Sequence, residues 1–305
     1  MPPEMEVVHQ LAQMVPGVVL TIVKLCIWLT MLSAVFVPLE RLFAVRRQTV
    51  FRRHIGLDLG YFFLNGVLPS LLLSSPLAVL ARAAHAALPT AMTTAIAHWP
   101  VWLRVIAALI VGEIGFYWGH RWSHQIPLLW HFHAIHHSAE QIDWLVNTRA
   151  HPVDMIFTRL CGLVPMYALG LAAPMAGSAS LVPVIVLLVG IVWGFFIHAN
   201  LRWRFGLLER LVATPAFHHW HHANDGPDVV DKNYAATLPW MDWVFGTLHL
   251  PKDRLPGRYG TDHPIPKGMA DQLLMPFMPM EDAGTSEQGG ADDAPLPPSG
   301  RGRGA

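Results

Sequence analysis

The most informative shortage in this chain is charge. Only 14% of its 305 residues are Asp, Glu, Lys or Arg, whereas a soluble domain carries about 25%. Hydrophobic residues make up 53%, and the mean hydropathy is +0.37. This composition is typical of an integral membrane protein. The formal net charge is zero, so nothing indicates a nucleic-acid partner.

Cysteine is the second shortage. The two cysteines, Cys26 and Cys161, both lie in apolar stretches. The sequence therefore supports neither a disulfide framework nor a cysteine zinc site, because both need several cysteines at suitable spacings. We expect any metal ion in this protein to be held by nitrogen.

Long apolar runs, in contrast, are abundant. A helix needs about 20 mostly apolar residues to cross the hydrocarbon layer. Four or five stretches qualify: Val15–Pro38, Ile55–Ala81, Val101–Gly119, Met155–Ala173 and Leu181–Ala199. We expect the second to bend or break near Pro69 and Pro76, and a turn at Pro174–Ser178 to join the last two as a hairpin. The sequence thus predicts an all-α, multi-pass membrane protein with four or five transmembrane helices.

The positions of arginine predict its orientation. The segment before the first span has no Lys or Arg, whereas the loop after it carries Arg41, Arg46, Arg47, Arg52 and Arg53. We therefore expect the N-terminus outside and this arginine-rich loop in the cytoplasm. Counting spans from there brings both His120 and His198 to the cytoplasmic side.

Histidine is what the chain has in excess. Twelve of its 18 histidines lie between His120 and His222, mostly in the clusters HRWSH, HAIHH and HHWHH. Residues three and four apart share one face of a helix, and imidazole is a common metal ligand, so each cluster aims two or three rings at one point. Too many rings are aimed for one ion, which predicts two metal ions in a cytoplasmic helical cap. The eight ligands expected are His120, His124, His133, His136, His137, His218, His221 and His222.

Local signals place the second and third clusters on helices. We expect one helix from Leu128 to about Gln141. Another should begin with Thr214 as its N-cap and Pro215 at its first helical position, which puts the third cluster in its first turns.

Further residues are candidate ligands or partners of ligands. His198 ends the fifth span at the same surface, so we expect it to be an additional ligand. His151 is equally compatible with a ligand, a partner of a ligand or a loop residue. Glu113 lies seven residues before His120 on the same helix face, where an ionisable residue is either functional or a paired structural group. Polar side chains that could orient imidazoles through the second ring nitrogen are Asp154, Asp231, Asn233 and Asp242.

Six strings resemble the fatty acid hydroxylase superfamily, also called the sterol desaturase family. They are EIGFYWGHRWSH, LWHFHAIHHS, NTRAHP, HANLRWRFGLLER, TPAFHHWHHA and DKNYAATLPWMDWVFGT. The resemblance implies a non-haem oxygenase with two iron ions, held by the eight clustered histidines, with His198 at a position that is often histidine. It also implies that O2 and an external electron donor (ferredoxin, cytochrome or reductase) serve to hydroxylate a C–H bond of a fatty acyl, alkyl or sterol lipid.

Other functions stay open from the sequence. The same site could act as a lipid or sterol desaturase. A metal transporter or metal-binding membrane protein would place its ligands near the bilayer midplane, whereas these histidines follow the ends of the spans. A b-type cytochrome would need single histidines facing each other across helices.

The chain divides into four expected regions. They are an N-terminal transmembrane region at 1–100, a catalytic domain at 101–250, a C-terminal extension at 251–280 and a disordered tail at 281–305. The tail is rich in Gly, Pro, Ser and Asp, a composition that cannot bury enough apolar surface to fold.

Overall fold

A computed structural model of the protein describes residues 3–172 and 181–278. Within these ranges the chain is helical, with short 3₁₀ turns and two isolated β-bridges. The helices are α1 (Pro3–Phe43), α2 (Ile55–Leu72), α3 (Ser74–Ala86), α4 (Thr90–Ala97), α5 (Val101–Gln125), α6 (Pro127–His137), α7 (Pro152–Ala168), α8 (Val182–His198), α9 (Pro215–His221), α10 (Trp240–Val244) and α11 (Met269–Leu274). The predicted turn 174–178 and tail 281–305 lie outside the described residues.

Two of these helices are long and apolar enough to cross a membrane. They are the part of α1 from Gly17 to Phe43, and α5. Shorter apolar helices cover Ile55–Leu68 and Val182–His198. The predicted second span is broken into α2 and α3 at Leu73, between the two prolines that predicted the bend. The total of four or five spans stays a prediction.

Close packing of α5 against α7 depends on glycine. A Cβ atom added to Gly115 would collide with the carbonyl oxygen of Cys161, and one added to Gly119 would lie 2.8 Å from the Cβ of Cys161. Only glycine lets the two backbones approach this closely. The contact fixes α7 beside the part of α5 that carries His120.

The arginine-rich loop lies at the end of the molecule where α8 ends. The backbone N–H groups of Val45 and Arg46 donate to Oδ1 of Asn200 (3.1 and 3.2 Å), two residues beyond His198. Arg52 forms an ion pair with Asp143, in the segment that follows α6. This loop therefore lies beside the segments that carry the histidines.

Candidate metal centre

All nine predicted ligand histidines lie in two compact groups. The first group is His120, His124, His133, His137 and His221, and the second group is His136, His198, His218 and His222. In each group, one ring nitrogen from every member lies within 4.8 Å of the others. The structure thus brings together residues from α5, α6, α8 and the end of α9.

The spacing predicts that each HxxHH cluster aims its rings at one point, but the structure divides the rings of both clusters between the two groups. In α6, His133 and His137 face the first group, whereas His136 faces the second. At the end of α9 the division is reversed, because His218 and His222 join the second group and His221 joins the first. Each cluster therefore contributes to both groups, so the two groups are neighbours built from shared helices.

Local structure explains the third cluster. The Thr214 hydroxyl accepts a hydrogen bond from the N–H of Phe217, and Pro215 is the first helical residue, which confirms the predicted cap. The helix that carries the second cluster is shorter than predicted, because α6 ends at His137 and a separate 3₁₀ turn follows at Trp144–Thr148. Asp143 caps that turn by accepting from the N–H of Leu145.

Hydrogen bonds from Nδ1 fix the orientation of six rings. His120, His136, His198 and His221 meet the backbone carbonyls of Tyr234, Arg149, Gly194 and Lys232, respectively, at 2.7–2.9 Å. His133 meets Oδ2 of Asp154 at 3.0 Å, and His124 meets Oδ1 of Asp231 at 3.1 Å. A carbonyl oxygen can only accept, so Nδ1 must donate and Nε2 is left unprotonated.

These tautomers make unprotonated nitrogens face each other. Nε2 of His120 lies 3.1 Å from Nε2 of His133 in the first group. Nε2 of His136 lies 3.3 Å from Nε2 of His198 in the second. Facing lone pairs repel unless a cation lies between them. Metal–nitrogen bonds of about 2.0–2.1 Å put neighbouring ligand nitrogens about 2.9–3.4 Å apart, so the observed spacings fit a metal ion in each group.

Unpartnered nitrogens point to the same conclusion. Nε2 of His124, His137 and His221 is buried and has no hydrogen-bond partner among the described residues. An unpaired buried polar atom is costly, and three of them within one group are explained by a ligand that the group is built to hold. The histidine groups could therefore bind metal.

Burial keeps the imidazoles in the form that binds metal. Desolvation, together with the neighbouring His133, lowers the pKa of His136 to about 4. Burial and adjacent histidines also lower the pKa of His137, His221 and His222 well below the usual value. A buried site of this kind disfavours the imidazolium form, so these four rings are neutral near pH 7, the form that can bind metal.

The other predicted residues divide into three kinds. Asp154 and Asp231 contact imidazoles of the first group, as expected of orienting carboxylates. His151 lies in neither group, because its Nδ1 accepts from the N–H of Val153 at the start of α7 and its Nε2 contacts the carbonyl of Leu273. Glu113, Asn233 and Asp242 contact no side chain of either histidine group among the described residues.

These last three residues hold the loop before α10. Glu113 accepts from the N–H and hydroxyl of Thr237 (2.8 and 2.6 Å). Asp242 accepts from the N–H groups of Tyr234 and Ala235 (2.7 and 2.9 Å). The amide of Asn233 donates to the carbonyl of Phe217 in α9. Because the Tyr234 carbonyl meets His120, this loop acts on the first group through its backbone.

Sequence reasoning missed the backbone carbonyls that orient four of the rings. Tyr234 and Arg149 lie within DKNYAATLPW and NTRAHP, two strings that resemble the family. A carbonyl acceptor leaves no signature in the side-chain pattern, so only the neighbourhood of these strings could have indicated it.

The fold and the two groups define an all-helical protein with a paired, histidine-rich site capable of binding metal. Residues 105–247 match the family model described as fatty acid hydroxylase. This match confirms the resemblance to the fatty acid hydroxylase superfamily that the six sequence strings carry. No solved structure matches the chain.

Curated relatives agree with this family. An ornithine lipid hydroxylase from Rhizobium tropici is 33% identical over 184 residues, which are 59% of this chain and 52% of the relative. Alkylglycerol monooxygenase from Danio rerio is 32% identical over 55% of this chain and 34% of its own length. A very-long-chain aldehyde decarbonylase from Oryza sativa subsp. indica is 29% identical over 49% and 54%, respectively. The chain thus spans about a third to a half of these relatives, of which the first two are a lipid hydroxylase and a monooxygenase.

Proposed function

We propose that this chain is a membrane-bound, non-haem di-iron oxygenase that hydroxylates a C–H bond of a fatty acyl, alkyl or sterol lipid, with O2 and electrons from an external donor. The observation that carries the proposal is the convergence of nine buried imidazoles on two adjacent points. Imidazole suits iron but also zinc, copper and nickel, so iron rests on the family. As an oxidoreductase of this family, the chain would use bound iron to supply redox chemistry that side chains lack.

The residues of the chain have defined tasks in this proposal. The first group would hold one ion and the second group the other. The carbonyls of Tyr234 and Arg149, with the carboxylate of Asp154, keep Nδ1 protonated and Nε2 free. Burial excludes water from both groups, which favours neutral imidazole and protects reactive species from side reactions.

Exposed apolar side chains support a lipid substrate. Leu207, Leu208 and Trp243 are 79%, 58% and 72% exposed. Phe245, at the end of α10, lies 5.1 Å from the ring of Trp118 in α5. The exposed end of α10 therefore adjoins a helix long enough to span a membrane, and exposed apolar surface is typical of membrane or ligand contacts.

Metal analysis tests the site. Purified protein should contain about two irons per chain, and His136→Ala or His221→Ala should lose metal. The matched control is His131→Ala, because His131 lies on α6 but in neither group. Retention of both ions in the two ligand variants, measured by elemental mass spectrometry, would refute this ligand set.

Lipid analysis tests the reaction. Membranes from cells with and without the gene should differ by a lipid that has gained one oxygen atom. The relatives named as a hydroxylase and a monooxygenase favour this outcome. Loss of two hydrogens instead would identify a desaturase that uses the same site. If the fully metallated, reduced protein leaves every membrane lipid unchanged, the proposal that this chain is a lipid-modifying enzyme is wrong.

A further inference from the structure

A buried network of charges connects the N-terminal region to the second group. Nε of Arg52 lies 2.6 Å from Oδ2 of Asp143, and its Nη2 lies 2.6 Å from Oδ1 of the same carboxylate. Nη2 of Arg52 also lies 2.7 Å from Oδ2 of Asp58. The other oxygen of Asp58 accepts from Nε of Arg149 at 2.5 Å. Two guanidinium groups and two carboxylates therefore balance each other.

The network ends at a ligand histidine. The Arg149 carbonyl accepts the hydrogen bond from Nδ1 of His136 (2.9 Å). Helix α2 holds the same stretch at two more points, because the Asp58 carbonyl accepts from the Thr148 hydroxyl and the Asn65 amide donates to the carbonyls of Thr148 and Ala150. The peptide that orients His136 is thus clamped by residues of α2.

Burial makes these contacts obligatory. Arg52, Asp58, Asp143 and Arg149 are 5%, 0%, 6% and 3% exposed. A buried charge that loses its partner has to move or become neutral. Removal of Arg52 would leave Asp143 without its cation and Asp58 with Arg149 alone. The charges around Arg149 would have to rearrange, which would shift the carbonyl that meets His136.

Among the described residues, no comparable contact links the N-terminal region to the first group. Its fixed rings meet Tyr234, Asp154, Asp231 and Lys232, all of which lie within the segment 105–247 that matches the family. Arg52 and Asp58 lie outside that segment. The two groups therefore differ in their dependence on the N-terminal region.

We infer that Arg52 and Asp58 are positioning residues for the second group, and that through the Arg149 carbonyl they determine whether one of the two metal positions is filled. The inference rests on the proposed two-metal function. It makes the loop and α2 part of the metal centre, although neither supplies a ligand.

The first experiment is metal content of the full-length chain. Wild type should hold about two ions, whereas Arg52→Gln and Asp58→Asn should hold about one. Arg53→Gln is the matched control, because Arg53 is the exposed neighbour in the same loop, and it should keep both ions. Two ions in both network variants overturn the inference. A wild-type chain with no metal instead contradicts the proposed function.

The second experiment separates positioning from general loss of stability. A His124→Ala/His221→Ala background removes the first group, and adding Arg52→Gln should weaken binding of the remaining ion about tenfold or more. In a His218→Ala/His222→Ala background the same change should leave the remaining ion unaffected. Equal weakening in both backgrounds overturns the inference.

A milder variant covers the case in which Arg52→Gln does not fold. Asn65→Ala removes only the amide contacts to Thr148 and Ala150 and leaves the ion pairs in place. It should weaken metal binding where only the second group remains and leave metal binding unchanged where only the first group remains. No selectivity in this variant, with normal folding, also counts against the inference.

Discussion

At the scale of single residues, the two orienting carboxylates differ in their surroundings. The side chain of Asp154 is 6% exposed and also accepts from the Ser123 hydroxyl, whereas that of Asp231 is 54% exposed. A charge interaction is stronger where water is excluded. The Asp154 carboxylate should therefore contribute more to the metal affinity of the first group.

We expect Asp154→Asn to weaken metal binding by the first group about 10–100-fold, the usual range for loss of a partner of a ligand histidine. Asp231→Asn should have a smaller effect, because water can replace its contact with His124. Titration of metal-free protein with iron, with Ser123→Ala as a mild control, measures both. Equal losses for the two aspartates would contradict the argument from burial.

The identity of the candidate ligands could be predicted from helical spacing, but their division between the two groups could not. The spacing shows that His133 and His137 share a face, and the structure places both in the first group. Whether His136, next to that face, meets α5 or α8 depends on how the helices cross. That crossing is set by tertiary packing, which leaves no mark in a local pattern.

At the scale of elements, the position of α5 on α7 depends on backbone contact rather than on side-chain packing. We expect Gly115→Ala to destabilise the protein by about 1–3 kcal/mol, the range for overpacking, because its new Cβ would meet the Cys161 carbonyl. Gly190→Ala in α8 is the control, since a Cβ there meets nothing within 4 Å. Thermal unfolding in detergent measures both, and similar midpoints would argue against close packing of α5 and α7.

The loop before α10 makes a second prediction at this scale. Glu113→Ala removes the acceptor for three hydrogen bonds from Thr237 and Leu238, and each donor left buried costs about 1–3 kcal/mol. We expect a lower unfolding temperature and weaker metal binding by the first group, because the Tyr234 carbonyl would lose its fixed position. Thr237→Val, which removes only the hydroxyl, should have a smaller effect. If Glu113→Ala leaves the metal affinity unchanged, the loop before α10 does not position the first group.

The sequence predicted the existence of most helices better than their ends. Val101 as the start of α5 and Thr214 as the cap of α9 agree with the structure, because Pro100 and the Thr214 hydroxyl are local signals. The predicted end of α6 at about Gln141 was wrong, because the helix ends at His137, ahead of the segment in which Arg52 pairs with Asp143 and Asp143 caps the next 3₁₀ turn. Contacts across 91 positions of sequence cannot be inferred from a short window.

At the scale of the whole molecule, the arginine-rich loop and the histidine groups lie together. Gln48 donates to the carbonyl of Ile142, and Val45 and Arg46 contact Asn200. The loop and the metal centre must therefore face the same side of a membrane. This agrees with the orientation predicted from arginine alone, in which both lie in the cytoplasm and the N-terminus lies outside.

Cysteine labelling in intact cells tests that orientation. In a chain with Cys26→Ala and Cys161→Ala, an impermeant maleimide should label Ala91→Cys, in exposed α4, from outside. Asp253→Cys, exposed in the C-terminal extension beside the site, should react only after the membrane is opened. The physical reason is that positively charged loops stay in the cytoplasm, so α4, across α2 and α3 from that loop, is left on the opposite side. If both positions are labelled from outside, the arginine pattern does not predict the topology of this chain. If only Asp253→Cys is labelled from outside, the orientation is the reverse of the predicted one. The metal centre would then lie outside, away from cytoplasmic electron donors.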